Sequence, residues 1–350
     1  MIGCGLWCSC TRQEIWYDLY NYHFYNGFAL LNGQTFTNHF VSGIYTFFAP
    51  LLDAITYLEI ISLNHYPDLI FFINGSFHAL IYILAFFILK LFFPVKTKTD
   101  KFLFLALLLY SVTGFAFVRQ LGSTCHELTV TAIFLLALYL FLKKLSTHYF
   151  SLNISLLIGF VTGCSLGLKL TVFPMTFGLG ISILYAALTK QIKHPIKTCC
   201  YMALGGIIGI LITDGWWLYL TWQQTGNPIF PMANNIFKSP LLPAETVRDA
   251  RFLPQTIWQA LFYPFYWITG HEYVTDIDAK TYIFHGIIPF ICLIFLTLQL
   301  FRKSFLSQAE KTIVIFYAAS YITWLILFSI LRYAATLEVL SGVLIFLTIR

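Results

Sequence analysis

Long apolar runs separated by short polar breaks organise this chain. They fall at about 68–93, 102–118, 128–142, 151–168, 171–189, 200–222, 282–301, 312–331 and 334–349. A helix needs roughly 20 residues to cross a hydrocarbon core, so the shorter runs must recruit flanking residues. The stretch 151–189 is divided only by Gly167-Leu168-Lys169, a weak break. Residues 41–63 are also apolar but carry Asp53 and Glu59, which predicts a helix lying in the membrane interface. A second interfacial helix is expected over 257–269, stopped near Pro264. The pattern predicts an all-α fold: a polytopic integral membrane helical bundle of about nine spans, with interfacial helices in its outer loops. There is no internal repeat.

Composition supports the membrane class. Hydrophobic residues make up 59% of the 350, and charged residues only 10%, against about 25% in soluble domains. A net charge of +6, modest and spread along the chain, does not suggest a nucleic-acid partner, and its distribution carries more information than its size. The connecting segments 94–101, 143–150, 190–199 and 302–311, with adjoining span ends and Arg350, hold 13 of the 21 Lys and Arg but only Asp100 and Glu310 among the 15 acids. Basic loops mark the cytoplasmic side. The expected product is a multi-pass protein of the cell inner (plasma) membrane with its N-terminal loop outside. Two parts follow: an outer loop at 1–67 with its interfacial helix, and a transmembrane core at 68–350 that includes the outer loop 223–281. Thr225-Gly-Asn-Pro-Ile-Phe-Pro231 forces turns in that second loop, and a loop of such length is more often functional than idle. Residues 1–10 are apolar but too short to span, and lack the basic flank of a signal peptide. Among the eight cysteines, Cys4, Cys8 and Cys10 have no matching pair at zinc spacing. Cys199-Cys200 beside a span are small apolar residues or palmitoylation sites.

Candidate chemistry gathers on the outer side. Residues 16–26 place Asp18 and His23 among six aromatic rings and two amides, Asn21 and Asn26. Asp18 is either a proton acceptor or the cap of a helix starting at Leu19. His23 orients an acid or packs against rings. Glu127, after Ser123 and Thr124, is either a helix-terminal residue or a carboxylate that meets Asp18 across the outer mouth. Lys169 and Arg332, near the outer ends of their spans, either bind the phosphate of an anionic lipid or snorkel to the interface. Asp214 within a span must be paired or protonated, and His78, with Asn74 and Ser76, suits interhelical hydrogen bonding. The chain has no Gly-rich phosphate loop, nucleophile elbow or metal-spaced His pair. No protein metal site is therefore expected from spacing, and Asp18 with Glu127 is the one weak pairing for a divalent cation.

At these positions the chain resembles the glycosyltransferase C-type superfamily, in particular its bacterial branch near the protein mannosyltransferases and aminoarabinose transferases. The resemblance runs through Asp18 with Tyr22-His23, Asn26 to Asn32-Gly33, Phe48-Ala-Pro-Leu-Leu-Asp53, Gly122-Ser-Thr with Glu127, Lys169-Leu-Thr171, Thr225–Pro231 and Arg332-Tyr333. It implies inverting transfer of a sugar from a polyprenyl-phosphate donor to an acceptor hydroxyl, with Asp18 as base and Glu127 and His23 beside it. It also implies substrate contacts from Asn21, Tyr22, Arg119, Lys169, Arg248 and Arg332, with membrane lipid as a further partner and no obligatory cofactor. Leu19 stands where many members carry a second acid. The family's helix before the first outer loop, which residues 1–15 cannot supply, and its later helices lead to the expectation of a shortened chain. The alternatives are a transporter or flippase of lipid-linked or polar solutes, and an inactive fragment of the enzyme.

Overall fold

A computed structural model of the chain describes residues 1–11, 17–37, 42–245, 247, 249–267, 284–302 and 305–350. Among the described residues it is all helical. Before the first long span lie α1 (Ile2–Thr11), α2 (Phe24–Leu31) and α3 (Leu51–Leu63). The core follows as α4 (Pro67–His78), α5 (Leu80–Phe92), α6 (Lys98–Val112), α7 (Phe115–Gln120), α8 (Glu127–Leu145), α9 (Leu152–Leu168), α10 (Phe173–Leu188), α11 (Pro195–Ile210) and α12 (Trp216–Thr225). Three short helices, α13 (Asn234–Phe237), α14 (Ile257–Leu261) and α15 (Tyr263–Tyr266), lie in the long loop, and α16 (Phe284–Gln299), α17 (Gln308–Leu327) and α18 (Ala335–Ile349) complete the chain.

Among the described residues, six helical stretches are long and apolar enough to cross a membrane: Pro67–Phe92, Glu127–Leu145, Leu170–Leu188, Pro195–Thr225, Gln308–Leu327 and Leu331–Ile349. Ile2–Thr11, Leu152–Leu168 and Phe284–Gln299 are shorter apolar helices. The chain is a polytopic helical membrane protein. The described residues of all nine apolar runs read from the sequence are mostly helical, but only six of these runs form described helices of spanning length, against the nine spans expected. The run at 102–118 is split by Thr113 and Gly114 into α6 and α7.

Local chemistry starts and stops these helices. Thr97 with Asp100, and Ser307 with Glu310, form reciprocal capping boxes on α6 and α17. Ser151 caps α9, and Pro67, Pro174 and Pro195 sit in first turns, where their missing N–H costs nothing. The weak break after Leu168 is real: Lys169 is extended (φ −158°) and a short 3-10 turn, Leu170–Val172, leads into α10. Near Pro264 the expected interfacial helix divides in two, and the proline opens α15 instead of ending a helix.

Small residues bring α9 and α11 into close contact. A Cβ on Gly163 would collide with the Gly206 carbonyl, one on Gly159 with Met202, and one on Gly209 with Phe160. Such contact supplies packing where lipid tails leave no hydrophobic drive between helices. By the same device α1 lies on α4, with Gly5 and Cys8 against Phe72, Gly75 and Ser76. The last span is the most enclosed, at 72% buried against 28% for Pro195–Thr225. Glu338 on α18 accepts hydrogen bonds from the Ala116 and Phe117 amides at 3.1 and 3.0 Å, closing the open N-terminus of α7.

Gly163→Val should force α9 from α11 and cost about 1–3 kcal/mol, read as a lower melting temperature of the detergent-solubilised protein. Gly180→Ala, where no atom lies within 4 Å of the added carbon, should leave melting unchanged or raise it slightly; equal losses in both variants would remove the close-packing account.

Candidate functional site

Three buried carboxylates from the N-terminal segment and α8 converge with basic groups from elsewhere in the chain. Before α2, residues Leu19–His23 form a π-helical turn, a local widening common at functional sites. Asp18 at its start makes no capping bond. Its Oδ2 lies 2.8 Å from Nη1 of Arg332, with the side chains 11% and 15% exposed. The capping alternative for Asp18 is thereby set aside. Glu127, in the first turn of α8, places Oε1 2.7 Å from Lys169 Nζ. Lys169 therefore neither snorkels nor awaits a ligand to neutralise it. The extended backbone at the α9–α10 break is what turns it inward. Each carboxylate carries its own cation, so a divalent ion shared between Asp18 and Glu127 is replaced by two ion pairs.

The third carboxylate, Asp53, is 2% exposed, although its position had marked α3 as interfacial. Its Oδ1 lies 2.5 Å from His23 Nδ1 and 3.1 Å from His126 Nε2, and its Oδ2 accepts from the Asn26 amide at 3.3 Å. Asn26 also donates to the Tyr45 carbonyl at 3.0 Å. The two imidazoles meet edge to face, 4.6 Å between centroids. Burial alone would raise the Asp53 carboxyl, but the His23 charge and hydrogen bonds from both imidazoles hold it below the usual carboxylate range. Burial pushes His126 down to about 4. His23 thus orients an acid, as one reading of the sequence has it, but the acid is Asp53.

Aromatic side chains form the wall. Tyr22 stacks on Tyr45 at 4.5 Å and 9° and meets Phe48 edge-on. Burial, reinforced by Asp18, pushes the Tyr22 hydroxyl far above its ordinary value. Arg332 lies over the Tyr333 ring, 5.3 Å from its centroid, and the Gln120 amide holds the Arg332 carbonyl at 3.1 Å. Trp217 on α12 donates to the Phe47 carbonyl at 3.0 Å and stacks on Phe36. In the long loop, the fully buried Asn227 and Asn234 tie the turns together through Met232, Ile229, Ser239 and Leu242.

Beside the two ion pairs lies a cavity of about 90 Å³ walled by Phe47, Phe48, Trp217 and Phe230; Asp18, Glu127, Arg332 and Tyr45 do not line it. Lys169, Tyr22 and Tyr333 line it, as do Asp53, His23 and His126. Asp214 reaches the same cavity from the π-helical turn Leu211–Gly215, and its Oδ1 has no hydrogen-bond partner among the described residues. No protein family, curated protein or solved structure matches the chain. The site must therefore be read from its own chemistry.

The remaining sequence candidates fall away from the cavity or outside view. Asn21 is exposed, with its amide on the Tyr17 carbonyl at 2.7 Å, and Arg119 is exposed at the end of α7. Arg248 lies outside the described residues. His78 bonds between helices as expected, to Thr129 at 3.3 Å and from the Gly122 amide at 3.1 Å, but Asn74 and Ser76 are not its partners there. Sequence reasoning missed Asp53 and His126 as site residues. The one available signal was a carboxylate inside an otherwise apolar stretch.

Lys169→Met should destabilise the fold by about 3–5 kcal/mol by stranding a buried carboxylate. Adding Glu127→Gln should recover most of that loss, in chemical denaturation of all four members of the cycle. Additive losses would show that the pair is not coupled.

Proposed function

We propose that this chain is a membrane glycosyltransferase that moves a sugar from a polyprenyl-phosphate donor to an acceptor hydroxyl, with inversion, at the outer face. The observation that carries it is the pair of buried ion pairs, Asp18–Arg332 and Glu127–Lys169, beside one aromatic-walled cavity. Charges at membrane depth are expensive and mark functional sites by default. Here two cations are kept inside an apolar bundle, each held by a carboxylate that an incoming anion can replace.

The lipid phosphate supplies that anion. Lys169 lines the cavity, and Arg332 borders it through Tyr333. When donor phosphate takes Arg332 as its partner, Asp18 loses its counter-charge and becomes free to accept the proton of the acceptor hydroxyl. That oxygen attacks the anomeric carbon from the face opposite the phosphate, the carbon–phosphate oxygen bond breaks, and the bond electrons leave with the lipid phosphate. Lys169 and Arg332 then stabilise the charge developing on the leaving oxygen. Tyr22 and Phe48 offer ring faces to the sugar, and the exposed apolar helices offer grooves to the isoprenoid tail.

The charge map supports an outer location. Glu127 and the pair Lys143-Lys144 occupy opposite ends of the 19-residue α8, about 25 Å apart at 1.5 Å per residue. Arg332 and Arg350 bracket the last span in the same way, and Arg350 pairs with Glu310 at the start of α17. Basic residues thus collect at the end away from the site, and basic ends face the cytoplasm. A transporter or flippase reading gains nothing specific here, since the charged groups cluster at one end instead of along the midplane.

Asp18→Asn should reduce transfer about 10²–10⁴-fold, the range of a lost general base, while binding of polyprenyl phosphate by the reconstituted protein persists. Lys169→Met should weaken that binding. Transfer at the wild-type rate by Asp18→Asn would falsify the assignment of the base.

A further inference from the structure

We propose that His23, Asp53 and His126 form a binding site for a divalent transition-metal ion of the zinc type. Nδ1 of His23, a carboxylate oxygen of Asp53 and Nε2 of His126 all lie within 4.8 Å of one another. The three residues come from separate segments: the π-helical turn before α2, the first turn of α3, and the residue that opens α8. All three are buried, at 4%, 2% and 6% exposure.

The donor set selects the ion. Two imidazole nitrogens and one carboxylate oxygen suit zinc and neighbouring first-row ions, whereas magnesium and calcium prefer all-oxygen shells. Three protein ligands leave a coordination position open. That position faces solvent-sized space, because His23, Asp53 and His126 all line the cavity, whose 90 Å³ exceeds the roughly 10–15 Å³ one water requires.

The surroundings fit a metal better than a purely structural cluster. Without an ion, a single oxygen, Asp53 Oδ1, serves both imidazoles. The other ring nitrogen of His23, Nε2, is buried and has no hydrogen-bond partner among the described residues. An ion between the three groups would put the ring proton of His23 on Nε2, where it can donate into the cavity. Asn26 already steadies the second carboxylate oxygen at 3.3 Å and is itself anchored on the Tyr45 carbonyl. Outer partners of this kind orient metal ligands. With one carboxylate against a divalent ion, the site keeps a positive charge beside Lys169, so an anionic or hydroxyl oxygen is the ligand its open position would take.

The assignment does not rest on the transfer reading. Metal binding is measured on the full chain with zinc alone, so either proposal can fail by itself. Protein purified in detergent, stripped with a chelator and reloaded with zinc should retain one ion per chain by elemental analysis. Asp53→Asn and His126→Gln should each weaken zinc binding tenfold or more (at least the roughly 10–100-fold lost when only an outer-shell partner is removed), and His65→Gln, an exposed histidine elsewhere, should not. Cobalt(II) added to the stripped wild type should give the intense visible bands of a low-coordinate site. If a variant fails to fold, this spectrum decides. A wild type that holds no more zinc than the His23→Gln/Asp53→Asn/His126→Gln variant, or whose cobalt spectrum stays that of the hydrated ion, overturns the site.

Discussion

Ionised groups withdrawn from water into an apolar helical bundle must be matched, because the cost of desolvating each one is several kcal/mol and only a well-placed opposite charge offsets it. That constraint governs the end of the bundle that carries the site. Asp18 is matched by Arg332 and Glu127 by Lys169, and Asp53 is satisfied by hydrogen bonds to two histidines. The partners lie far apart in sequence, so each pairing also ties one helix to another. The N-terminal segment is fastened to the last span, the start of α8 to the α9–α10 break, and α3 to both.

Breaks in the helices make those pairings reachable. A straight helix points successive side chains around its axis and cannot bring a lysine from its end back into the bundle. The extended residue at Lys169, the π-helical turns at Leu19–His23 and Leu211–Gly215, and the 3-10 turn at Leu331–Ala334 each interrupt regular winding beside the cavity. The uninterrupted parts do different work. Gly-lined α9 and α11 pack closely, and the buried face of α18 closes the core, with Glu338 capping α7. Regular helix supplies the scaffold, and irregular helix places the chemistry.

Buried charge that is already neutralised also suits exchange. A carboxylate and a guanidinium held together leave a site neutral and stable until a stronger anion enters. Phosphate is such an anion, since it offers several oxygens to the same donors. Tyr22, Phe48, Trp217 and Tyr333, with the orphaned carboxylate oxygen of Asp214 in the same cavity, give a pocket both aromatic walls and polar groups. Loop residues Asn227 and Asn234 hold that wall in shape by satisfying several backbone groups each, so a segment without regular structure still presents a fixed surface.

Much of the architecture was legible in the chain by itself. Apolar runs must become helices in lipid, because no other local structure satisfies its own backbone, and the described residues of all nine runs are mostly helical. Capping boxes and first-turn prolines mark several helix starts for equally local reasons, and Asp18, Lys169 and Arg332 stood out because charge is rare at such positions. What the sequence could not show was which charges meet. The expected pairing of Asp18 with Glu127 gave way to Arg332 and Lys169, Asp53 moved from the interface into the site, and His126 joined His23 across 103 positions of chain. Hydrophobic period depends on neighbours three or four residues away and survives in one dimension. Charge matching and metal-ligand geometry depend on ångström distances between remote segments, and only the packed helices decide them.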